Sequence, residues 1–281
     1  MKTSLLTGST GGLGGEIAKI LAKDGWNLIL INRDKEKADK QIASLNKQYP
    51  KQDFHSYIAN LIDLEDIRKA SQEIAKDHTQ INALYNIAGL LTDKRIMNPQ
   101  NIEAHFALNS LAPYLLVQSL RSQLKAIATP ESPSIIVNFS TAAVNSVKTL
   151  DTAKLINPDT IGGLLDAYAK TKTVLSIMAC FLEDELSEDN VYIYSADPGA
   201  TKTQMTSGGE GMPWFLRFLV PLLFGNADKQ AQKLLDGVDR AIKEKQTAVF
   251  ISNGKVKKNP AIAYDKQIQN DVRALMDSIA F

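Results

Sequence analysis

The sequence predicts an α/β fold in which helices cover both faces of a doubly wound parallel sheet of about seven strands. Short apolar runs alternate along the chain with segments of helical periodicity, which is the order that a parallel sheet requires. Runs such as 27–31 and 134–139 are apolar almost throughout, as expected for strands that are buried on both faces. A cluster of glycines separates the first apolar run from the first helical segment.

The individual elements follow from this alternation. Strands are predicted at 4–7, 27–31, 54–58, 83–87, 134–139, 191–196 and 248–251. Helices are predicted at 14–23, 35–48, 64–76, 101–126, 164–186, 227–243 and 261–279. No internal repeat or linker is visible, so residues 1–281 are expected to form a single domain. The stretches 142–163 and 201–225 interrupt the alternation after strands, and they are either substrate-facing insertions or ordinary surface loops.

Composition excludes several classes of function. The net charge of +1 comes from well-mixed charges, which gives no reason to expect nucleic acid or an anionic membrane as a partner. The single cysteine, Cys180, excludes an internal disulfide framework. We interpret Cys180 as a buried core thiol and expect a cytoplasmic protein. His55, His78 and His105 lack the spacing of metal ligands, so no metal is predicted. The most apolar stretch, 214–224, is about half the length of a bilayer span.

The glycine cluster lies in the segment Thr7-Gly-Ser-Thr-Gly-Gly-Leu-Gly14, between the first strand and the first helix. A strand-to-helix turn of this kind directs free backbone N–H groups and the positive end of a helix towards an anion. Glycines allow the tight turn and a close approach of a pyrophosphate to the backbone. The position at the first βα unit therefore predicts a dinucleotide site, the alternative being a purely structural turn.

The end of the second strand indicates which dinucleotide binds. An acidic residue about 20 positions after the glycines usually holds the ribose 2′-hydroxyl of NAD. Here the strand ends on Asn32 and is followed by Arg33, whose guanidinium can pair with a 2′-phosphate. We therefore expect NADP(H) as the preferred cofactor, with Asn32 and Arg33 at the site. Asp34 could serve the ribose instead, which leaves NAD(H) open, and Arg33 could be a solvated charge.

Acid–base chemistry is indicated by Tyr168 and Lys172. Their spacing of four residues places both side chains on one face of a helix. A free phenol has a pKa near ~10 and is a poor acid–base group at neutral pH, and a nearby ammonium lowers that pKa. The pair is therefore predicted to exchange a proton with an alcohol or carbonyl oxygen.

Further motifs occur in a characteristic order: Asn86-Ile-Ala-Gly89, Asn109, Asn138-Phe-Ser-Thr141, Tyr168-Ala-Lys-Thr-Lys172 and Asp197-Pro-Gly199. With the glycine turn, this set closely resembles the short-chain dehydrogenase/reductase family over nearly the whole chain. The resemblance implies a Rossmann fold and an oxidoreductase that moves a hydride between a nicotinamide and a small-molecule carbonyl or alcohol.

The resemblance also implies roles for individual residues. Tyr168 would be the acid–base group, Lys172 would also bind the nicotinamide ribose, and Asn109 would hold a water in a proton relay with Lys172. The remaining cofactor contacts would be Gly8, Ser9, Thr10, Gly12, Leu13, Gly14, Asp63, Leu64, Asn86, Ala88, Gly89, Pro198, Gly199, Thr201 and Thr203.

Two positions depart from the family pattern. The family usually has a second asparagine where this chain has Ile87, which removes a polar group beside the sheet. The family commonly has a serine pair after the fifth strand, and here the pair is Ser140-Thr141. The position that steadies the substrate carbonyl falls on Thr141, whose hydroxyl can donate the same hydrogen bond, with Ser140 as the second candidate.

The longer interval before Tyr168 and the apolar stretch 214–224 resemble the retinol-dehydrogenase and protochlorophyllide-reductase branch, which acts on lipophilic substrates. Residues 214–224 would then be a lid or a peripheral membrane contact, or else would pack on the core or on a second subunit of a homo-oligomer. Two other functions stay open. A non-catalytic NADP-binding regulator would retain the fold, and a sugar-nucleotide epimerase or dehydratase can share the Tyr–Lys pair.

Overall fold

The central sheet runs through the whole molecule and fixes the position of every other element. The computed structural model describes residues 1–162, 164–199 and 226–280. Within these residues the sheet has eight strands in the order β3-β2-β1-β4-β5-β6-β7-β8. They are β1 (Thr3–Thr7), β2 (Asn27–Asn32), β3 (Phe54–Ile58), β4 (Ala83–Asn86), β5 (Ser134–Phe139), β6 (Val191–Asp197), β7 (Val249–Ser252) and β8 (Lys255–Lys257).

Helices follow the strands in the alternation that the sequence predicts. They are α1 (Gly12–Lys23), α2 (Lys35–Gln48), α3 (Leu64–Asp77), α4 (Ala104–Phe106, the π-helical turn Ala107–Leu111 and Ala112–Lys125), α5 (Ala153–Ile156), α6 (Leu164–Glu188), α7 (Ala227–Lys243) and α8 (Lys266–Ala280). Short 3-10 turns lie at Ala142–Ser146 and Ala261–Tyr264. Among the described helices, none combines the length and apolarity that a membrane span requires.

The α/β class and the doubly wound sheet are confirmed, and the strand count is eight instead of about seven. Strands β1 to β7 are parallel, and β8 pairs antiparallel with β7. The extra strand follows Asn253-Gly254, a two-residue turn in which both residues have positive φ, 52° and 71°. Asn-Gly is the favoured sequence for such a hairpin turn, and this signal was overlooked in the sequence.

Each face of the sheet is covered by its own layer of helices. Leu84 and Ile136 point to the layer that contains α3, α4, α6 and α8, whereas Tyr85 and Val137 point to the layer that contains α1 and α7. This alternation follows from the two-residue period of a strand. The chain winds from β1 outwards to β3 and then returns to β4 on the other side of β1. Such a reversal opens a crevice at the carboxyl ends of the strands, where ligands bind in this class of sheet.

Candidate active site

A cavity of about 1150 Å³ lies along the carboxyl ends of the parallel strands. Its wall runs from the glycine turn after β1, past the ends of β2, β3 and β4, to the ends of β5 and β6 and the start of α6. We call this space the main cavity. It brings together, from the predicted set, Gly8, Thr10, Gly12, Leu13, Gly14, Asn32, Arg33, Ala88, Gly89, Ser140, Thr141, Tyr168, Lys172, Pro198 and Gly199.

The glycine turn has the geometry of an anion site. Gly8 has φ +68°, a conformation that residues with a side chain rarely adopt. A Cβ on Gly14 would lie 2.4 Å from the carbonyl oxygen of Gly8, so only glycine lets α1 pack this closely on the turn. Gly11 caps α1 without a side-chain hydrogen bond, which leaves the first amides of the helix available to a ligand. A phosphate group fits this cradle.

Ser9 and Asn32 hold the turn in place with their side chains. The amide of Ser9 donates to Asn32 Oδ1 at 2.9 Å, and Asn32 Nδ2 donates to Ser9 Oγ at 3.0 Å. Gln41 Nε2 on α2 donates to the Ser9 carbonyl at 2.7 Å. Ser9 and Asn32 are buried, and these bonds engage the polar atoms that would otherwise contact a nucleotide. Gln41 belongs to this support and was not among the predicted residues.

Two cations stand at the β2 end of the main cavity. Arg33 is exposed, and it makes no ion pair with any residue that the structure describes. Lys37, on the first turn of α2, lines the same wall and was not predicted. Its ammonium lies 3.3 Å from Asp34 Oδ2. Asp34 also caps α2 by accepting from the Lys37 amide at 3.0 Å, and these contacts lower the pKa of Asp34. Asp34 is thus engaged as a helix cap.

The predicted pair Asp63 and Leu64 does not line the main cavity. Asp63 caps α3 by accepting from the Glu65 amide at 3.0 Å, and Leu64 is buried in the core. The cavity wall at the end of β3 consists of Ala59–Ile62. An aspartate directly before a helix with acidic residues in its first turn is an N-cap signal, and the cofactor contact at Asp63 and Leu64 stays a prediction.

Asn86 also lies away from the cavity wall. Its side-chain Nδ2 donates to Asn138 Oδ1 at 2.8 Å, across the register pair that joins β4 to β5. Both asparagines are buried within the sheet. The Asn86 side chain thus joins two strands, the next residues, Ile87–Gly89, form the cavity wall, and the cofactor contact at Asn86 stays a prediction.

Asn109 holds the loop after β4. It lies in the π-helical turn of α4, where its Oδ1 accepts from the Leu90 amide at 2.8 Å and its Nδ2 donates to the Leu90 carbonyl at 3.0 Å. Nδ2 also donates to Thr171 Oγ1 on α6 at 3.2 Å. A Cβ on Gly89 would lie 3.2 Å from Asn109 Oδ1 and 3.3 Å from Lys172 Nζ. Gly89 thus lets the cavity wall approach both polar groups.

Lys172 is buried, with 2% of its surface exposed, and its ammonium donates to the Phe139 carbonyl at 2.6 Å. Burial lowers the pKa of Lys172 to about 7. Burial, together with a smaller contribution from the charge of Asp197, raises the pKa of Tyr168 to about 12. The sequence predicted a lowered tyrosine pKa. Loss of hydration and a nearby carboxylate outweigh the ammonium, which is turned towards Phe139.

The two candidate hydroxyls differ in what they bond. Ser140 Oγ donates to the Lys172 carbonyl at 3.4 Å, which commits its proton to the protein. Thr141 Oγ1 accepts from the Ala143 amide at 3.3 Å, so its own proton is available to a ligand. Both residues line the main cavity. The ranking of Thr141 before Ser140 as the substrate contact stays a prediction.

Of the residues that the structure describes in the insertion at 142–163, Ala142 alone lines the main cavity. Farther along, Arg95 Nε donates to the Pro158 carbonyl at 2.9 Å, and the Glu103 amide donates to the Ile156 carbonyl at 2.7 Å. These bonds hold the segment against the loop after β4, where it lines a separate cavity of about 230 Å³. Thr201, Thr203 and the stretch 214–224 lie outside the described residues.

Comparisons with known proteins agree with this architecture. The chain is 33% identical to "Oxidoreductase calI" of Penicillium decumbens over 208 residues, which are 70% of this chain and 58% of that protein. It is 26% identical to retinol dehydrogenase 13 of Homo sapiens over 204 residues, 73% of this chain and 60% of that protein. The latter match confirms the predicted retinol-dehydrogenase-like branch. The chain spans less than two thirds of the length of these relatives.

Solved structures share the fold. A short-chain dehydrogenase from Sphingobium yanoikuyae in complex with NADPH superimposes with a TM-score of 0.70 at 22% identity, over 99% of this chain and 96% of that one. An NADPH-bound carbonyl reductase from chicken fatty liver gives a TM-score of 0.70 at 21% identity, over 92% and 99%. Residues 2–152, more than half of the chain, match the family model described as short chain dehydrogenase. The chain therefore belongs to the short-chain dehydrogenase family.

Proposed function

We propose that this chain is an NADP-dependent oxidoreductase that interconverts a lipophilic carbonyl compound and its alcohol, with Tyr168 as the acid–base group. The observation that carries the proposal is the main cavity itself. One continuous wall joins a glycine cradle for phosphate, two cations, and the group Thr141, Tyr168 and Lys172. Relatives point the same way, because retinol dehydrogenase 13 is named for a lipophilic alcohol and two structural neighbours hold NADPH.

The nucleotide fits the residues that are present. Gly8 and Gly14 form a cradle that a Cβ would fill, and the unbonded first amides of α1 suit a pyrophosphate. Arg33 and Lys37 offer positive charge for a 2′-phosphate, whereas Asp34 is engaged as the cap of α2. The preference for NADP(H) over NAD(H) rests on this contrast.

The chemical step divides between cofactor and protein. A bound nicotinamide supplies or accepts the hydride. Thr141 donates a hydrogen bond to the substrate oxygen and orients it, and Tyr168 gives that oxygen a proton during reduction and takes one during oxidation. Lys172 holds positive charge beside the tyrosine when it is protonated.

The substrate class is supported by the apolar part of the wall. Leu90, Leu91 and Leu108 line the cavity from the loop after β4 and from α4. Leu165, at the start of α6, also lines it and is 59% exposed, so it presents an apolar surface at the entrance. Such a wall favours a substrate with an apolar body next to the reacting carbonyl.

The direct test is turnover with a graded panel of carbonyl compounds. We expect consumption of NADPH with apolar aldehydes or ketones, slower consumption of NADH, and a gain in kcat/KM as the apolar part of the substrate grows. The control is Tyr49→Phe, which removes a phenol at the end of α2 outside the main cavity and should leave turnover unchanged. Absence of turnover across the panel, with NADPH binding retained, would contradict the proposal and favour a nucleotide-binding regulator.

A further inference from the structure

Asp197 is a carboxylate in the wall of the main cavity to which the proposed reaction gives no role. It is the last residue of β6 and is 6% exposed. The two-residue period of the strand puts its side chain on the same face as Ile193, which packs in the core with α6. Tyr168 lies on α6 and lines the same cavity. Asp197 therefore points towards the helix that carries the tyrosine.

Neutral hydrogen bonds hold the carboxylate in place. The Gly199 amide donates to Asp197 Oδ1 at 2.9 Å, and Ser252 Oγ donates to Asp197 Oδ2 at 3.2 Å. Ser252 is also the register partner of Asp197 across β6 and β7. In the described part of the chain, no lysine or arginine forms an ion pair with Asp197. A fixed negative charge without a cationic partner acts strongly on its surroundings when it is buried.

The charged groups around Tyr168 are few within the described residues. Its own helix contributes Lys172, whose ammonium donates to the Phe139 carbonyl. The end of β5 contributes the hydroxyls of Ser140 and Thr141, and the loop after β4 contributes apolar side chains. The end of β6 contributes Asp197. The carboxylate is thus the group whose charge opposes formation of a phenolate, in agreement with the raised pKa of Tyr168.

We propose that Asp197 is a positioning residue that acts through Tyr168, its charge keeping the phenol protonated and so reserving it as the proton donor for carbonyl reduction. The idea rests on the proposed function. It implies that oxidation of an alcohol, which needs the phenolate as a base, requires a more alkaline pH than it would without Asp197. A purely structural role, shaping the Asp197-Pro-Gly199 turn, would not produce this effect.

The test is the isosteric substitution Asp197→Asn in the full chain with NADP bound. Asparagine keeps an acceptor for the Gly199 amide and removes the charge. NMR of protein labelled at the tyrosine Cζ carbon follows ionisation of Tyr168 directly, with the resonance assigned by Tyr168→Phe. We expect the titration to move to lower pH by up to about one unit. The alkaline rise in kcat for alcohol oxidation should move with it.

A matched variant separates charge from structure. Ser252→Ala removes a hydrogen bond from Asp197 but keeps its charge, so the Tyr168 titration should stay in place. Asp197→Ser, which can still accept from the Gly199 amide, provides a second neutral variant if Asp197→Asn does not fold. An unmoved titration in the neutral variants, or an equal shift in Ser252→Ala, would overturn the proposal. Because the NMR titration needs no turnover, a shift in an inactive protein would contradict the proposed function but support the charge coupling.

Discussion

The two ends of the main cavity use ionisable side chains in opposite ways. At the β2 end, Arg33 and Lys37 stand at the surface, and the buried side chains of Ser9 and Asn32 bond to each other. At the β6 end, Lys172 and Asp197 are buried. The first end therefore offers a ligand backbone amides and solvated charge, whereas the second surrounds it with fixed, poorly hydrated charge.

The contrast teaches where large effects should lie. Charges at the surface are screened by water and salt, so each has a smaller effect on its neighbours than a buried charge has. Burial shifts the pKa of an ionisable group by whole units, and here it lowers the pKa of Lys172 and, with a smaller contribution from the charge of Asp197, raises that of Tyr168. Substitutions at the β6 end should therefore change turnover and pH dependence, and those at the β2 end should change nucleotide affinity.

The largest effect is expected from Tyr168→Phe. The substitution keeps the ring in the cavity wall and removes the group that exchanges the proton, so kcat should fall by a factor on the order of 10³ or more. NADPH affinity, measured by calorimetry, should change little because the glycine cradle is untouched. A variant that keeps more than about a tenth of the wild-type kcat would remove Tyr168 from the mechanism.

Lys172→Met should change the stability of the nucleotide-free protein in a pH-dependent way. The pKa of Lys172 is lowered from 10.5 to about 7, so between these values the unfolded chain holds a proton that the folded chain lacks. Wild-type stability should therefore rise with pH across this window. Methionine removes the buried ammonium, so Lys172→Met should have a higher free energy of unfolding than the wild type. This gain should be largest below pH 7, where it reaches a few kcal/mol with an upper limit of ~5, and it should vanish towards pH 10.

Urea unfolding at three pH values measures this difference. The matched control is Lys170→Met on the same helix, where the ammonium forms a surface pair with Asp166 at 2.7 Å. Lys170→Met should change the free energy of unfolding by no more than about 0.5 kcal/mol at every pH. A gain in Lys172→Met that is constant from pH 6 to about 10 would show that packing is responsible and that the buried charge is not.

The sequence predicted best where the determining signal is local. The bounds of α2 and α7 are those predicted, because a cap residue, Asp34 or Asn226, immediately precedes each apolar stripe. Asp63 gives the same local signal for α3, because it caps that helix by accepting from the Glu65 amide.

Other features depend on contacts between distant parts of the chain. The Asn86 side chain bonds to Asn138, 52 residues later, and the register of β4 and β5 brings the two together. The raised pKa of Tyr168, on α6, depends on burial and on the charge of Asp197 at the end of β6. The π-helical turn that aims Asn109 at Leu90 has no clear periodic signal, because the apolar pattern of α4 continues through it.

A smaller effect on turnover should distinguish the two hydroxyls after β5. Thr141→Ala removes the proposed donor to the substrate oxygen and should lower kcat about 10²-fold, the usual cost of one such donor. Thr141→Ser keeps the hydroxyl and should restore most of the rate. Ser140→Ala removes only a bond to the Lys172 carbonyl, so its effect should be at most about tenfold. Steady-state kinetics at saturating NADPH compares the three variants, and a reversed ranking would move the substrate contact to Ser140.

The smallest effects are expected at the β2 end, in the affinity for nucleotide. Arg33→Ala should weaken NADPH binding by about 2 kcal/mol, roughly 30-fold, the range for a hydrogen bond to a charged group, and leave NADH affinity nearly unchanged. Lys37→Ala should weaken NADPH binding about threefold, because the ammonium of Lys37 is shared with Asp34 at the surface. Raising the salt concentration should weaken NADPH binding to the wild type more than to Arg33→Ala. Calorimetric titrations with both nucleotides measure these differences, and equal losses for NADPH and NADH in Arg33→Ala would show that Arg33 does not read the 2′-phosphate.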